Sequence, residues 1–238
     1  MNFKIFLIVG TIFTTATLPI AIRLSLFDKV IAEAVKIKPL ENVVNAIQPL
    51  KPKKPGVEQI LKTKKCIGCD LSNINLSGAD LTGADFRNTN FSGANLTNTK
   101  LQDAKMSGTV LNNATLKNTE LQGSDLKGSS LKGADLSDAQ MMNATMLKVD
   151  LTGAKLHRTE LRDVTLIDSK LENADLSNAS MYGTHLTNSN LKGANLSNAL
   201  MRYADLTNAT LTNTNLSGAD LSLAIMPEGI NVYGSREY

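Results

Sequence analysis

The chain has 238 residues, 42% of them hydrophobic, with 25 Lys and Arg against 22 Asp and Glu, no Trp and two Cys. The formal charge of +3 is unevenly divided: residues 1–65 carry 11 basic and 4 acidic side chains, whereas residues 66–226 carry 13 and 16. A slightly acidic, Trp-free body without a basic stripe argues against a nucleic-acid-binding domain, and two cysteines with no nearby His fall short of the four ligands of a structural zinc site.

Residues 1–23 read as a signal peptide or membrane anchor. Lys4 precedes Ile5 to Ile22, an 18-residue run without charge that Arg23 closes. That length is at the lower edge for a membrane span and long for a signal-peptide core. Thr14-Thr15-Ala16 is a poor cleavage signal, and the better small-x-small match, Ala32-Glu33-Ala34, lies beyond Arg23. Cleaved and anchored forms, and a buried soluble helix, therefore all stay open. Lys4 and the amino terminus stand against Arg23, Lys29, Lys36 and Lys38, so flanking charge sets no orientation.

Residues 24–55 read as a helix and then a linker. Ser25 and Asp28 resemble a capping pair, and Leu26, Val30, Ile31, Ala34 and Val35 share one helical face. That face fits a membrane surface or a plain spacer helix. From Pro39 to Pro55, four prolines and Lys51, Lys53 and Lys54 mark a semi-extended linker. In residues 56–65, Val57, Ile60 and Leu61 have i, i+3, i+4 spacing, which predicts a short amphipathic helix capping the segment that begins at Cys66.

From Leu71 to Met226 every fifth residue is large and apolar: 32 consecutive positions holding 24 Leu, six Met and Phe86 and Phe91. Two residues before each stands a small or compact residue, Ala at 17 of the 32. A period of five fits neither a helix nor a strand. It fits a chain that turns a corner every five residues, with two positions of each unit facing inward. In Ala79-Asp80-Leu81-Thr82-Gly83, Leu81 is the centre and Ala79 the small inward residue. One such side cannot bury its own leucine, so the sides must coil and stack into a solenoid. The six centre methionines (Met106, Met141, Met146, Met181, Met201 and Met226) are flexible core fillers in this scheme.

Segments such as Ala79-Asp80-Leu81, Ala94-Asn95-Leu96, Ala134-Asp135-Leu136 and Ala219-Asp220-Leu221 resemble the A(D/N)LXX pattern of the pentapeptide repeat family. The resemblance covers residues 66–226 and implies an all-β fold, a right-handed quadrilateral β-helix with four units per coil. Eight coils at the usual inter-strand spacing would extend about 38 Å. Residues twenty apart would then stack, so that Leu71, Phe91, Leu111 and Leu131 form one inner column. Residues 227–238 read as a flexible tail: Pro227 cannot donate to another ladder bond, and the rest is polar with no helix pattern.

Cys66 and Cys69 are both in register, one at a centre and one at the small inward position. That placement favours a disulfide, or two buried thiols, closing the first corner. A thioredoxin-like motif would need a helix start within a βαβ unit, which the sequence lacks. Thr63-Lys64-Lys65-Cys66 and Cys69-Asp70-Leu71 resemble the leader into the repeats of exported cyanobacterial members. The resemblance implies a periplasmic or thylakoid-lumen location.

His157 and His185 flank centres on different sides, and no nucleophile, base and orienter are placed together, so neither an enzyme nor a metal, cofactor or small-molecule site is expected. The promising departure is apolar. Met142, Arg162, Tyr182 and Arg202 would stack as one outer column, Leu147 and Ile167 as another, with Tyr203 beside them, forming a patch for a protein partner. The alternative is corner packing and sequence drift. The expected function is a non-enzymatic scaffold, exported or membrane-anchored. Two other readings compete with it. Some family members imitate duplex DNA and inhibit topoisomerases, but the weak acidity here, interleaved with Lys and Arg, opposes mimicry. A redox role for the Cys66/Cys69 pair is the other.

Overall fold

The computed structural model describes residues 56–230. The readings for residues 1–23 and 24–55, and for the tail from 231 onward, lie outside the described residues. Among the described residues no helix is long and apolar enough to cross a membrane. The one helix among these residues, α1 (Val57–Thr63), starts at Gly56 without a side-chain cap and ends at Lys64 in the left-handed region, whose N–H donates to the Ile60 carbonyl at 2.8 Å. Ile60 is buried while Val57 and Leu61 are exposed, so the helix turns one apolar side chain into the end of the coil and leaves two outside.

Parallel bridges join residues twenty apart without a break, from Lys65–Asp85 to Asp205–Ile225. Four five-residue units therefore make one turn of the coil. One unit shows how the backbone satisfies its polar groups. Leu136 N donates upward to Lys155 O (2.7 Å) and Asp138 N to His157 O (3.0 Å); Gln140 N donates downward to Thr119 O (2.9 Å); Ala139 N closes the corner on Leu136 O (3.0 Å). Only the residue after the centre, Ser137, lacks a backbone acceptor, and its N–H bonds the Asp135 carboxylate at 3.1 Å. The same Asx bond recurs from Ser72 to Asp70, Thr97 to Asn95, Thr152 to Asp150 and Ser222 to Asp220. Asp or Asn before the centre, present in about half of the units, thus supplies an acceptor to an amide that the backbone leaves unpaired; elsewhere other side chains do so, as Glu160 does for Arg162 N and Asn112 for Lys132 N.

The corner itself explains the last position of the unit. All 32 residues at the second place after a centre, from Gly68 to Leu223, have positive φ. A turn with positive φ only at its third residue is type II, which selects Gly or Asn there. Twelve are Gly, twelve Asn and four Asp; the exceptions, Lys148, Arg158, Tyr203 and Leu223, hold a left-handed backbone against their own Cβ.

Inside, the centre residues from Leu71 to Leu206 are buried, and Phe86 and Phe91 meet edge to face with centroids 5.2 Å apart. Where the small inward residue is Thr, its hydroxyl mostly donates to the centre carbonyl one coil below (Thr99 to Leu76, Thr119 to Leu96, Thr159 to Leu136), while Thr109 donates to Met106 of its own corner. A hydroxyl is therefore tolerated in the core because a nearby centre carbonyl accepts from it, Ser189 being the one inward hydroxyl without a partner among the described residues. In the last coil Leu211, Leu216 and Met226 are only partly covered.

Candidate protein-binding surface

Cys66 and Cys69 are joined by a disulfide with Cα atoms 5.5 Å apart. At this first corner no Cys69 N–H to Cys66 carbonyl bond closes the turn, unlike Ile74 to Leu71 or Ala79 to Leu76, and the Thr89 hydroxyl takes the Cys66 carbonyl instead. The covalent link spans the corner in place of the missing hydrogen bond.

Six of the outer carboxylates, among the described residues, are held in ion pairs. Arg87 grips Asp85 with two 2.8 Å bonds, holding that carboxyl at about 2, and Lys64 at 3.0 Å holds Asp80 at about 2. Arg158 bonds Asp138 at 2.7 and 2.9 Å, lowering it. For Asp135 and Asp150 burial pushes the carboxyl up, yet the hydrogen bonds from Ser137 and Thr152, with Lys117 and Lys132 at 3.2 Å, outweigh it and the net shift is downward. Lys100 and Gln140 interrupt the column of Asp80, Glu120 and Glu160. His157 Nδ1 lies 2.9 Å from the buried Ser177 hydroxyl, and among the described residues no three metal-ligating side chains converge.

The outward column of the candidate patch is laid out by the backbone. Asn143 N donates to Arg162 O, Asp163 N to Tyr182 O and Gly183 N to Arg202 O, so Met142, Arg162, Tyr182 and Arg202 occupy successive rungs. Leu147 and Ile167 are neighbours on the next side, through Lys148 N to Ile167 O. Their environments differ. Met142, Leu147 and Ile167 are half-buried. Arg162 turns back to Glu160, 3.4 Å away. Tyr182 and Tyr203 are exposed and meet edge to face at 5.2 Å, with the Arg202 guanidinium 5.2 Å from the Tyr203 ring centre. Tyr182, Arg202 and Tyr203 thus form the cluster.

Sequence reasoning missed three exposed residues near it, Leu200, Leu223 and Ile225. Leu200 sits in the bridge column between Ser180 and Asp220, and Leu223 stands one coil above Tyr203. The available signal was that each occupies a place where the repeat otherwise puts a polar residue or Gly.

A four-sided parallel coil of five-residue units, with the small inward residue and centre inside and an Asx-closed type II corner outside, defines a repeat solenoid. Residues 65–103, 94–133, 120–158, 159–198 and 189–226 match the family described as pentapeptide repeats, in eight copies. The chain therefore belongs to the pentapeptide repeat family, and its coil is the right-handed β-helix solenoid of that family. No curated protein matches it. Among solved structures it is similar to HetL, a protein involved in heterocyst differentiation regulation from the cyanobacterium Nostoc sp. strain PCC 7120, at 28% identity over 70% of this chain and 90% of that one, with a TM-score of 0.33. It is also similar to trypsin-treated QnrB1, a plasmid-mediated fluoroquinolone resistance protein (19% identity, 69% and 89% covered, TM-score 0.49), and to Rfr23 of the cyanobacterium Cyanothece 51142 (21%, 71% and 96%, TM-score 0.20). With TM-scores this low, the assignment rests on the repeat match alone.

Proposed function

We propose that this protein is a non-enzymatic scaffold, exported or membrane-anchored through residues 1–23, that uses the solenoid as a rigid spacer of about eight coils, roughly 38 Å long, and binds a protein partner through the surface around Tyr182, Arg202 and Tyr203. The observation that carries the reading is Tyr203. A Tyr in the left-handed region costs roughly 1–2 kcal/mol relative to Gly, and here it holds an exposed ring against Tyr182 and Arg202. Backbone strain retained at an exposed aromatic–Arg cluster favours binding over packing, since Tyr and Arg dominate interface hot spots. Met142, Leu147, Arg162 and Ile167 would form the border of that surface. The Cys66–Cys69 disulfide fits an oxidising compartment.

Changing Tyr203 to Asn restores the residue the corner prefers. Loss of the ring contact, about 0.5–1.5 kcal/mol, roughly cancels the relieved strain, so the variant should melt no more than a few degrees away from the wild type. Combined with Tyr182→Ser, it should lose partners that the wild-type full chain captures from its own host extract. An unchanged set of captured partners would count against the surface. Fractionation with N-terminal sequencing of the mature protein tests the export reading separately.

A further inference from the structure

From Ile74 to Ala224, the N–H of each small inward residue closes its corner on the carbonyl of the centre three residues before it, with two exceptions among the described residues, Val149 and Ser169. The exceptions stand twenty apart and therefore stack. Val149 N–H donates instead to the Ser169 hydroxyl at 3.2 Å, which donates in turn to the Met146 carbonyl at 2.9 Å. A hydroxyl from the coil above is thus inserted into the corner bond, whereas the corner below keeps a direct bond from Ser129 N to Leu126 O at 3.1 Å.

A groove of about 510 Å³ opens at these corners. Lys148, Val149 and Asp150 line it from the bridged corner, Asp168 and Lys170 from the coil above, and Ser130 and Lys132 from the coil below. Gly128 keeps the lower side clear, since a Cβ there would meet nothing within 4 Å. Val149 is the one apolar side chain in the lining, so the groove has little with which to hold a hydrophobic ligand.

Its charges are unevenly spent. The Asp150 carboxylate is taken by Lys132 at 3.2 Å and by the Thr152 hydroxyl and N–H at 2.6 and 3.1 Å. Lys148 and Lys170 pair with no carboxylate among the described residues. Lys148 also holds a left-handed backbone, φ +56, at a place that Gly, Asn or Asp fills in most units. Arg158, strained in the same way, is bound to Asp138, but the Lys148 ammonium is left for something else. Two acceptors face the same space. Asp168 accepts only from the Asn188 amide, at 3.2 Å, and the Ser130 hydroxyl, having given its proton to Asn112 at 2.7 Å, keeps only its lone pairs.

We infer that this groove binds an acidic saccharide, its carboxylate facing Lys148 and Lys170 and its hydroxyl groups donating to Asp168 and Ser130. Unpaired ammonium groups select an anion, and acceptors without protons to give select a hydroxylated body. The volume falls within the usual range of small-ligand sites, about 300–1,000 Å³. The site shares no residue with the surface around Tyr182 and goes beyond the partner-binding role proposed above.

Calorimetric titration of the full chain in mild detergent with digalacturonate tests this, with the neutral disaccharide lactose and inorganic phosphate as comparisons. Digalacturonate should bind saturably and lactose should not. Lys148→Asn gives the corner a residue it prefers, so it should keep or raise the melting temperature while weakening digalacturonate about tenfold or more, the weight of one charge-assisted hydrogen bond. Lys170→Gln should weaken it similarly. Asp168→Asn keeps an oxygen for the Asn188 amide and should also weaken the saccharide, whereas a merely positive patch would bind more tightly once that carboxylate is gone. Lys155→Gln removes the same charge outside the groove and should leave the affinity unchanged. Absence of saturable binding by the wild type overturns the proposal, as does unchanged affinity in Lys148→Asn, tighter binding by Asp168→Asn, or an equal loss in Lys155→Gln. Phosphate or lactose binding as tightly as digalacturonate also overturns it, the first by reducing the site to an adventitious oxyanion contact.

Discussion

Replacing Phe91 with Ala should lower the unfolding free energy by about 3–5 kcal/mol, the usual cost of deleting a buried aromatic ring. Phe91 has no exposed surface and meets Phe86 edge to face with interplanar angle 89°. The bridges Asp70–Asn90 and Asn90–Val110 place Leu71 and Leu111 directly below and above it. Backbone bonds from Phe91 N to Val110 O (2.7 Å) and from Leu71 N to Asn90 O (2.7 Å) hold those rungs, so the coil cannot collapse into the cavity without breaking its ladder. The cavity term therefore adds to the transfer term. Leu211→Ala supplies the contrast, because Leu211 lies in the last coil and is only partly covered; its loss should be clearly smaller. Urea denaturation of both variants measures the difference. A Phe91→Ala loss under about 1 kcal/mol, far below the range for buried aromatics, would mean that the bore is not packed as described.

Gly108→Val should also destabilise, for a reason that lies outside the core. Gly108 has φ +68, a conformation that costs an L-residue about 1–2 kcal/mol and a β-branched one more. A Cβ there would also lie 2.4 Å from the Asn88 side-chain oxygen, one coil below at the same corner. Moving that amide aside adds a smaller cost, because its oxygen is the end of an exposed side chain that can rotate. The two contributions separate in a double variant. Asn88→Gly removes the obstructing side chain without disturbing the left-handed corner, so Gly108→Val in that background should recover the steric part and retain the backbone part. Thermal melting of the four proteins gives the cycle. Equal losses in both backgrounds would show that the stacked corner residues do not touch.

The same corner geometry shows why the fold is legible in the sequence and the surface less so. Leu, Met and Phe at every fifth position, with Ala or Thr two before, face the bore because the coil repeats its geometry at each unit; nothing elsewhere in the chain competes with that register. Asp and Asn before the centre, and Gly and Asn two after it, read as solvated turn residues in the sequence. Their specific duties, the Asx bond and the positive φ, need the backbone to be seen. At the surface, stacking can be counted by twenties, so Met142, Arg162, Tyr182 and Arg202 fall in one column by sequence, as they do in the coil. Side-chain direction cannot be counted that way. Arg162 is as well placed as Arg202 to cover a Tyr ring by register, yet it lies against Glu160, while Arg202 reaches Tyr203. Leu200, Leu223 and Ile225 escape notice because each is a single polar-to-apolar exchange, and only their shared neighbourhood gives the exchange meaning.

A four-unit coil requires residues twenty apart to be neighbours, and nuclear Overhauser spectroscopy tests that most directly. The amide of Leu131, which donates to the Asp150 carbonyl at 2.7 Å, should show cross-peaks to protons of residues near 150, and Leu136 likewise to those near Lys155. The same offset should recur along the solenoid. Amide contacts confined to residues three and four away, with none at an offset near twenty, would contradict the coil and everything built on it.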